Sequence, residues 1–373
     1  MTFSSDYFTA RKRFREAAEH LGWASHAYPI GITGPQGEDL TLDVAASSPA
    51  ETNCVLVLSS GLHGVEGFFG SAVQLALLER WEHEPGLPVG VRCVLLHGLN
   101  PFGFAWSRRF DADNIDPNRN FLLEGEEYSG GSTRYATFNK LLNPERPPSR
   151  WDLFHLRALW AVVRHGKPAL KQALVTGQYD FPKGLFFGGR GPSQTRMIVQ
   201  QHLKSWIGRA RTVTHVDFHT GLGAWGTCKL LIDHSLNAMQ RERLTRWFGA
   251  EAWEENDPQK VAYQPRGSLG RWCVAQEYAS NYNFAFAEFG TYSNISVMAG
   301  LRAENQAHHW GRPEDSGTAR AKERLRELFC PASRAWRSQV VAKSMDLVDR
   351  AVSRLAEDAR QSGEPMRGTN RRT

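Results

Sequence analysis

The amino-acid sequence predicts a single α/β domain with a mostly parallel or mixed central sheet and helices on both faces. Short apolar segments typical of buried strands alternate with helical segments along the chain. The sequence has no internal repeat and no low-complexity linker. Its 373 residues are 41% hydrophobic and 23% charged, close to the average of soluble globular proteins. We therefore expect one domain over residues 1–361 and a disordered basic tail at residues 362–373.

The spacing of apolar residues locates the elements of the first half. Phe14, Ala17, Ala18 and Leu21 lie at i, i+3, i+4 and i+7, which predicts an amphipathic helix over residues 6–21. The run Cys54-Val-Leu-Val-Leu58 is short and apolar, as in a strand buried on both faces. The other elements predicted here are a strand at 40–45, a helix at 70–81, a strand at 91–96 and a polar loop at 122–150.

The second half repeats the alternation of helix and strand. A Gly-, Pro- and aromatic-rich stretch at 178–193 predicts a long loop between two helical segments. The predicted helices are 151–163, 169–175, 193–207, 238–248, 318–329 and 333–355, and the predicted strands are 212–218, 228–232 and 284–288.

Charge and cysteine content exclude several classes of protein. The net charge is +6, but most of the arginines are interspersed with acidic residues, so we expect no nucleic-acid partner. Five cysteines without a CxxC spacing argue against a disulfide framework or a zinc ribbon. No apolar run approaches the roughly 18–20 residues that span a bilayer, and the first residues contain no apolar leader segment. We expect a cytoplasmic protein with no membrane partner.

The first candidate for chemistry is His63-Gly-Val-Glu66, directly after a predicted buried strand. A histidine and a carboxylate three residues apart on a helical turn face the same way, so both can reach one metal ion. In α/β proteins, binding sites lie at the carboxyl ends of the sheet strands. The same spacing also occurs by chance, in a loop histidine beside a solvated glutamate.

The second candidate is His215-Val-Asp-Phe-His219, in which His215, Asp217 and His219 share one face of a predicted strand. Burying such a polar face is costly unless its groups are paired or bind a metal ion, and both readings stay open. The adjacent Gly221-Leu-Gly-Ala-Trp-Gly226 satisfies GxGxxG, but a strand is predicted after it where a dinucleotide site needs a helix. We therefore reject a nucleotide site there.

The third candidate is the polar segment Asn114-Ile-Asp-Pro-Asn-Arg-Asn-Phe121, preceded by Arg108 and Arg109. Arginines flanked by amide side chains can bind a carboxylate through forked hydrogen bonds. The fourth candidate is Glu288, a carboxylate inside the otherwise apolar strand Phe284-Ala-Phe-Ala-Glu-Phe-Gly290. Since glutamate is almost never buried without a partner, we expect Glu288 to be functional.

The order of these motifs resembles the zinc metallocarboxypeptidase superfamily. The matching residues are His63-x-x-Glu66, then Asn118-Arg119-Asn120-Phe121, then His219 and Glu288, over roughly residues 50–305. This superfamily includes carboxypeptidases A and B and the succinylglutamate desuccinylase/aspartoacylase branch. The segments Gly177–Gly184, Glu288–Tyr292 and Leu301–Asn305 are similar to a bacterial branch of unassigned function.

The resemblance implies a role for each matching residue. It implies that His63, Glu66 and His219 bind one zinc ion per chain and that Glu288 is the catalytic carboxylate. The remaining implied roles are Asp116 orienting His63, Arg109 (or, in another register, Arg108) polarising the scissile carbonyl, Asn118 and Arg119 clamping the substrate's terminal carboxylate, and Tyr263 on a mobile segment.

The expected activity is therefore cleavage of an amide or peptide bond next to a free carboxylate, in a small peptide or acyl amino acid. An N-acyl amino acid deacylase is the alternative among enzymes, and a non-catalytic peptide-binding pseudoenzyme is the alternative from another class. Val65 stands where digestive carboxypeptidases have arginine, which argues against long peptides. The Trp-containing helix near 151–163 could cover the cleft, and the oligomeric state is left open.

Overall fold

A mixed sheet of eight strands lies at the centre of the computed structural model, which describes residues 2–49, 51–83, 86–131, 133–149, 151–166, 176–255 and 266–361. The strands, in chain order, are β1 Ala24–Thr33, β2 Asp39–Ala46, β3 Cys54–Ser60, β4 Val91–His97, β5 Thr212–Thr220, β6 Cys228–Ile232, β7 Trp253–Glu255 and β8 Asn281–Phe289. Their order across the sheet is β1-β2-β4-β3-β5-β8-β6-β7.

The four central strands, β4, β3, β5 and β8, run parallel to one another. Every residue of β3, β4 and β5 is buried, as expected for parallel strands covered on both faces. The predicted α/β fold with a mixed sheet is therefore confirmed. The sequence did not predict β1, which is mostly exposed at the sheet edge, or the three-residue β7.

The helices of the described residues are α1 Tyr7–His20, α2 Gly67–His83, α3 Pro101–Ala105, α4 Thr133–Leu142, α5 Phe154–His165, α6 Gln194–Ile207, α7 Ala238–Phe248, α8 Leu269–Ala275, α9 Asn294–Trp310, α10 Ser316–Phe329 and α11 Arg334–Gln361. None of them is both long and apolar enough to cross a bilayer. The predicted helix at 169–175, Tyr263 and the predicted tail at 362–373 lie outside the described residues.

Two sequence-based expectations need correction. The predicted loop at 122–150 contains α4, because Tyr135, Phe138 and Leu142 form a buried apolar face between the flanking Gly-, Pro- and Asn-rich turns. Helix α9 was missed because its buried face carries polar residues, among them Arg302 and Glu304, which break the apolar periodicity. The strand predicted after the GxGxxG segment is confirmed as β6.

The connection from β3 to α2 is held closely against the segment that follows α3. Val65 donates its backbone N–H to Arg108 O at 2.7 Å, and Gly64 donates to Arg109 O at 3.2 Å. A Cβ atom on Gly64 would lie 2.1 Å from the carbonyl carbon of Gly103, so only glycine fits. This close contact fixes the turn that carries His63 relative to Arg109.

We expect Gly64→Ala to lower the free energy of unfolding by about 1–3 kcal/mol, because one backbone segment must move to admit the methyl group. Urea unfolding measures the change. Gly317→Ala in α10 is the matched control: its Cβ would meet no atom within 4 Å, so we expect a change of at most about 1 kcal/mol, towards higher stability. Equal stability of the wild type and Gly64→Ala would contradict the packing argument.

Candidate metal centre

Three potential metal ligands meet at the carboxyl ends of two neighbouring parallel strands. His63 and Glu66 lie in the turn after β3, and His219 lies near the end of β5. The Glu66 carboxylate lies between the two rings, with Oε1 2.9 Å from His63 Nδ1 and Oε2 3.0 Å from His219 Nδ1. One ligand atom from each residue lies within 4.8 Å of the others, and all three residues are buried. The structure thus brings together the residues that the sequence singled out.

Each histidine turns its second nitrogen towards another carboxylate. His63 Nε2 lies 3.2 Å from Asp116 Oδ1, and His219 Nε2 lies 2.6 Å from Asp217 Oδ2. A carboxylate that accepts the Nε2 proton leaves the Nδ1 lone pair for a cation. Two imidazole nitrogens and one carboxylate oxygen, oriented in this way, are a donor set that suits Zn²⁺.

Asp217 shares a strand face with His219, as predicted from the sequence, but the sequence did not indicate its role. Its Oδ1 accepts a hydrogen bond of 2.7 Å from the Ser59 hydroxyl, whose oxygen lies 2.8 Å from His215 Nε2. His215 Nδ1 lies 2.9 Å from the Tyr282 hydroxyl, so His215 belongs to the support of Asp217 and not to the ligand cluster. Burial lowers the pKa of His215 to about 4, which keeps its ring neutral.

The carboxylates at the centre have opposite electrostatic surroundings. Burial raises the pKa of Glu66, but the charges of His63 and His219 outweigh burial and hold that pKa below its usual value. Glu288 is the register partner of His219 on β8 and accepts a hydrogen bond of 2.9 Å from Leu222 N. Burial and the charge of Glu66 together raise the pKa of Glu288 to about 7. Glu288 is therefore the carboxylate that can exchange a proton near neutral pH.

The structure distinguishes the two candidate arginines. Arg109 lies at the cluster, with Nη2 2.7 Å from His63 Nε2 and Nε donating to Asp116 Oδ2 at 3.1 Å. Its guanidinium also packs on the ring of Phe186, 5.6 Å from the ring centroid. Arg108 points elsewhere and forms a fully buried ion pair with Glu304 at 2.8 Å. Arg108 therefore has a structural partner, and only Arg109 faces the centre.

Asn118 and Arg119 lie two and three residues after Asp116 in the chain. The Asp116 Oδ1 atom accepts a hydrogen bond from the Asn118 backbone N–H at 3.0 Å. The Asn118 side chain accepts from Leu269 N at 3.0 Å, and its amide N–H groups have no partner in the described part of the chain. Arg119 is buried, with 8% of its surface exposed, and donates through Nη1 to Asn118 O at 2.7 Å. Its Nε is unpartnered and it forms no ion pair with a described residue.

The segment 177–191 packs against Arg119 and Asp116. Tyr179 donates its hydroxyl to Arg119 O at 2.7 Å, and Asp116 N donates to Phe187 O at 2.7 Å. Gly177 has φ +70°, and a Cβ there would lie 2.6 Å from Arg119 Cδ. In the chain between α4 and α6, it is therefore this segment, with the ring of Phe186, that contacts the site residues, whereas Trp160 on α5 is 62% exposed.

The sequence matches, over residues 3–343, the model of a family described as Protein of unknown function (DUF2817), and the chain belongs to that family. No curated protein matches it. Among solved structures, bovine thrombin-activatable fibrinolysis inhibitor in complex with tick carboxypeptidase inhibitor is similar over 95% of this chain and 98% of its own, at 10% identity and a TM-score of 0.55.

Two further solved structures are similar at lower TM-scores. Carboxypeptidase A from Helicoverpa armigera is 14% identical over 87% of this chain and 73% of its own, with a TM-score of 0.48. The succinylglutamate desuccinylase from Chromobacterium violaceum is 16% identical over 86% of this chain and 74% of its own, with a TM-score of 0.40. At 10% identity and a TM-score of 0.55, the likeness to bovine thrombin-activatable fibrinolysis inhibitor shows that this chain has the fold that the predicted resemblance implies.

We expect Asp217→Asn to weaken the binding of a divalent metal ion about 10–100-fold, because the amide cannot hold the His219 tautomer as a carboxylate does. Competition with a chromogenic chelator measures the metal dissociation constant. Asp233→Asn is the control, since Asp233 is also a buried aspartate, 8% exposed, and its oxygens contact Ser268, Arg271 and His234 and not the cluster. Equal metal affinity of the Asp217 variant and the wild type would remove Asp217 from the support of the site.

Proposed function

We propose that this protein is a zinc-dependent hydrolase that cleaves an amide or peptide bond next to a free carboxylate. The observation that carries the proposal is the arrangement of four buried groups at the carboxyl ends of three adjacent parallel strands, β3, β5 and β8. His63, Glu66 and His219 direct their donor atoms at one another, and Glu288 lies beside His219 without belonging to that cluster. A ligand cluster with a separate proton-exchanging carboxylate suits hydrolysis, because a site that only binds needs no such group.

His63, Glu66 and His219 would hold one zinc ion per chain through two Nδ1 atoms and a carboxylate oxygen. A zinc ion with three protein ligands keeps an open position, where it polarises a carbonyl and lowers the pKa of bound water to about 7. Asp217 accepts the Nε2 proton of His219, so that this ring would present its Nδ1 lone pair to the cation. Asp116 would do the same for His63 once Arg109, whose guanidinium can only donate, moves its Nη2 away from His63 Nε2.

Glu288 would act as the general base and then as the general acid. The Leu222 N–H fixes its Oε1, which leaves Oε2 to receive a proton from the attacking water and to return it to the leaving amine. Arg109, at the edge of the cluster, would stabilise the negative charge that develops on the scissile carbonyl oxygen. To donate a hydrogen bond to that oxygen through Nη2, Arg109 would have to give up its contact with His63 Nε2.

The proposal that the substrate has a free carboxylate is based on Asn118 and Arg119, which would bind it. Arg119 is a buried guanidinium with an unpartnered Nε and no described carboxylate within ion-pair distance. The amide N–H groups of Asn118 beside it are also unpartnered. The carboxylates of Asp116 and Asp233 act on Arg119 only from beyond ion-pair distance, so its guanidinium can still receive an anionic group that arrives with the substrate. Bound there, the substrate would be oriented towards Glu288.

We expect Glu288→Gln to lower kcat by about 10²–10⁴-fold on a hydrolysable substrate, because the amide cannot exchange the proton. Zinc content and substrate binding should be retained, since the loss falls on the transition state. The measurements are kcat by steady-state kinetics and bound zinc by elemental analysis, with the exposed Glu254→Gln as the control. A zinc-replete Glu288→Gln protein with wild-type kcat would show that another group moves the proton.

We expect Arg119→Lys to raise KM or lower kcat/KM by about tenfold or more, since lysine cannot form the planar fork. The loss should be confined to substrates with a free terminal carboxylate, while Arg241→Lys, a surface substitution near Glu255, should have no effect. The assay compares free-acid and amidated forms of N-acylated dipeptides. Equal turnover of both forms by the wild type would refute the clamp and leave the metal-dependent hydrolysis itself untouched.

The deacylase alternative is tested by the same panel of substrates. N-acetyl and N-succinyl amino acids offer the same terminal carboxylate as the dipeptides but lack a residue on the amino side of the scissile bond. If kcat/KM for the acyl amino acids exceeds that for the dipeptides, the protein is a deacylase; the opposite order supports the peptidase assignment.

A further inference from the structure

Helix α5 carries two apolar faces, and only one of them is covered. Phe154, Ala158 and Ala161 point into the protein and are buried. The opposite face consists of four large side chains at i, i+3, i+4 and i+7 that face solvent: Leu156 is 63% exposed, Leu159 60%, Trp160 62% and Val163 79%. A helix at the surface of a soluble domain normally has polar residues at these positions, so this face needs a partner.

The exposed face continues beyond the helix into Trp151, 78% exposed, and Leu153, 56% exposed. We call the six residues the α5 patch; they are half of the twelve large hydrophobic residues found exposed in the described part of the chain. The area of six such side chains, two of them tryptophan, is on the order of 800 Å². The largest apolar patch of a typical monomer is about 300–600 Å².

The helix that carries the patch is anchored at both ends. At its start, Arg302 donates to Asp152 Oδ2 at 2.7 Å and packs on the ring of Phe154 at 5.0 Å from the centroid. At its end, the ring of His165 packs edge-on against Phe138 on α4, with centroids 5.3 Å apart. Specific contacts therefore fix the inward face of α5 against the protein. The α5 patch is the outward face of this anchored helix.

We propose that the α5 patch is the contact surface between two copies of this chain. An area of about 800 Å² per partner is what a standard stable interface buries. A stripe of apolar side chains at helical spacing packs against the same stripe of a second helix, and a two-fold axis lets one patch serve both copies. The two tryptophans of the patch and its lack of acidic residues agree with this assignment, because tryptophan is enriched and acidic residues are depleted in interfaces.

The charged residues of α5 fit the rim of such an interface. Helix α5 contains no acidic residue, and its two arginines, Arg157 and Arg164, are exposed beside the apolar stripe. The guanidinium of Arg164 lies over the ring of Trp160, 5.5 Å from its centroid. Because both copies carry the same positive rim, added salt should strengthen their association or leave it unchanged.

The positive rim also makes an anionic lipid surface the competing occupant, and the salt dependence separates the two. Electrostatic binding to anionic lipids weakens with salt, since it depends on attraction between opposite charges. Association of two copies with the same positive rim should not weaken with salt, because salt screens the repulsion between them.

Sedimentation velocity of the full chain at about 1–100 μM tests the proposal, with Leu159→Glu/Trp160→Glu as the patch variant. We expect a wild-type dimer of twice 41.9 kDa and a patch variant that dissociates at least 100-fold more readily. Met239→Glu on α7, 77% exposed and outside the patch, is the control and should remain dimeric. Circular dichroism verifies the fold, and the milder Leu159→Ser serves if the double variant unfolds.

Three outcomes would overturn the proposal. The first is a wild type that is monomeric at 100 μM in both low and high salt. The second is a patch variant that dimerises as well as the wild type. The third is a monomer that sediments with vesicles of phosphatidylserine and phosphatidylcholine in low salt and loses this binding with the patch substitutions; that result would assign the patch to lipid.

Discussion

The rest of the site depends on the position of the Glu66 carboxylate between two imidazole Nδ1 atoms. One oxygen faces His63 and the other faces His219, and Thr220 N donates to the second oxygen at 3.1 Å. A buried carboxylate is costly unless it is paired, so these contacts are what allow Glu66 to stay ionised. Their geometry requires that the turn after β3 and the end of β5 stay in fixed register, which the parallel pairing of these two strands supplies.

The orientation of each histidine is fixed by a carboxylate, and the two carboxylates come from different parts of the chain. Asp116 comes from the polar segment after α3, and Asp217 comes from the same strand as His219. Asp217 in turn accepts a hydrogen bond from the hydroxyl of Ser59, which lies on the neighbouring strand. The same hydroxyl is also within hydrogen-bond distance of His215 Nε2. Each layer of hydrogen bonds removes rotational freedom from the layer inside it, so that the donor atoms of the candidate cluster are held in place by the fold itself.

The chain between α4 and α6 has two parts that differ in their surroundings. Its last segment, residues 177–191, supports Asp116 and Arg119 and contributes the ring of Phe186 under Arg109. Its helix α5, further from these contacts in the chain, presents an apolar stripe outward. Apolar residues of this part of the chain therefore lie both against the site residues and on the exposed face of α5.

The sequence by itself determined the fold class, which rests on local signals, and it indicated His63, Glu66 and His219 as candidate ligands through an order of motifs that resembles the zinc metallocarboxypeptidase superfamily. Buried parallel strands are continuous apolar runs, and the spacing in His63-x-x-Glu66 and in the Asp217–His219 pair fixes which side chains share a face. Only the tertiary structure decided that Arg109 and not Arg108 faces the centre, since a one-residue difference in a loop leaves no periodic signal. It alone showed the Ser59–Asp217 contact, the segment behind Arg119 and the exposed stripe of α5, because these depend on elements that lie far apart in sequence and meet only when the sheet is assembled.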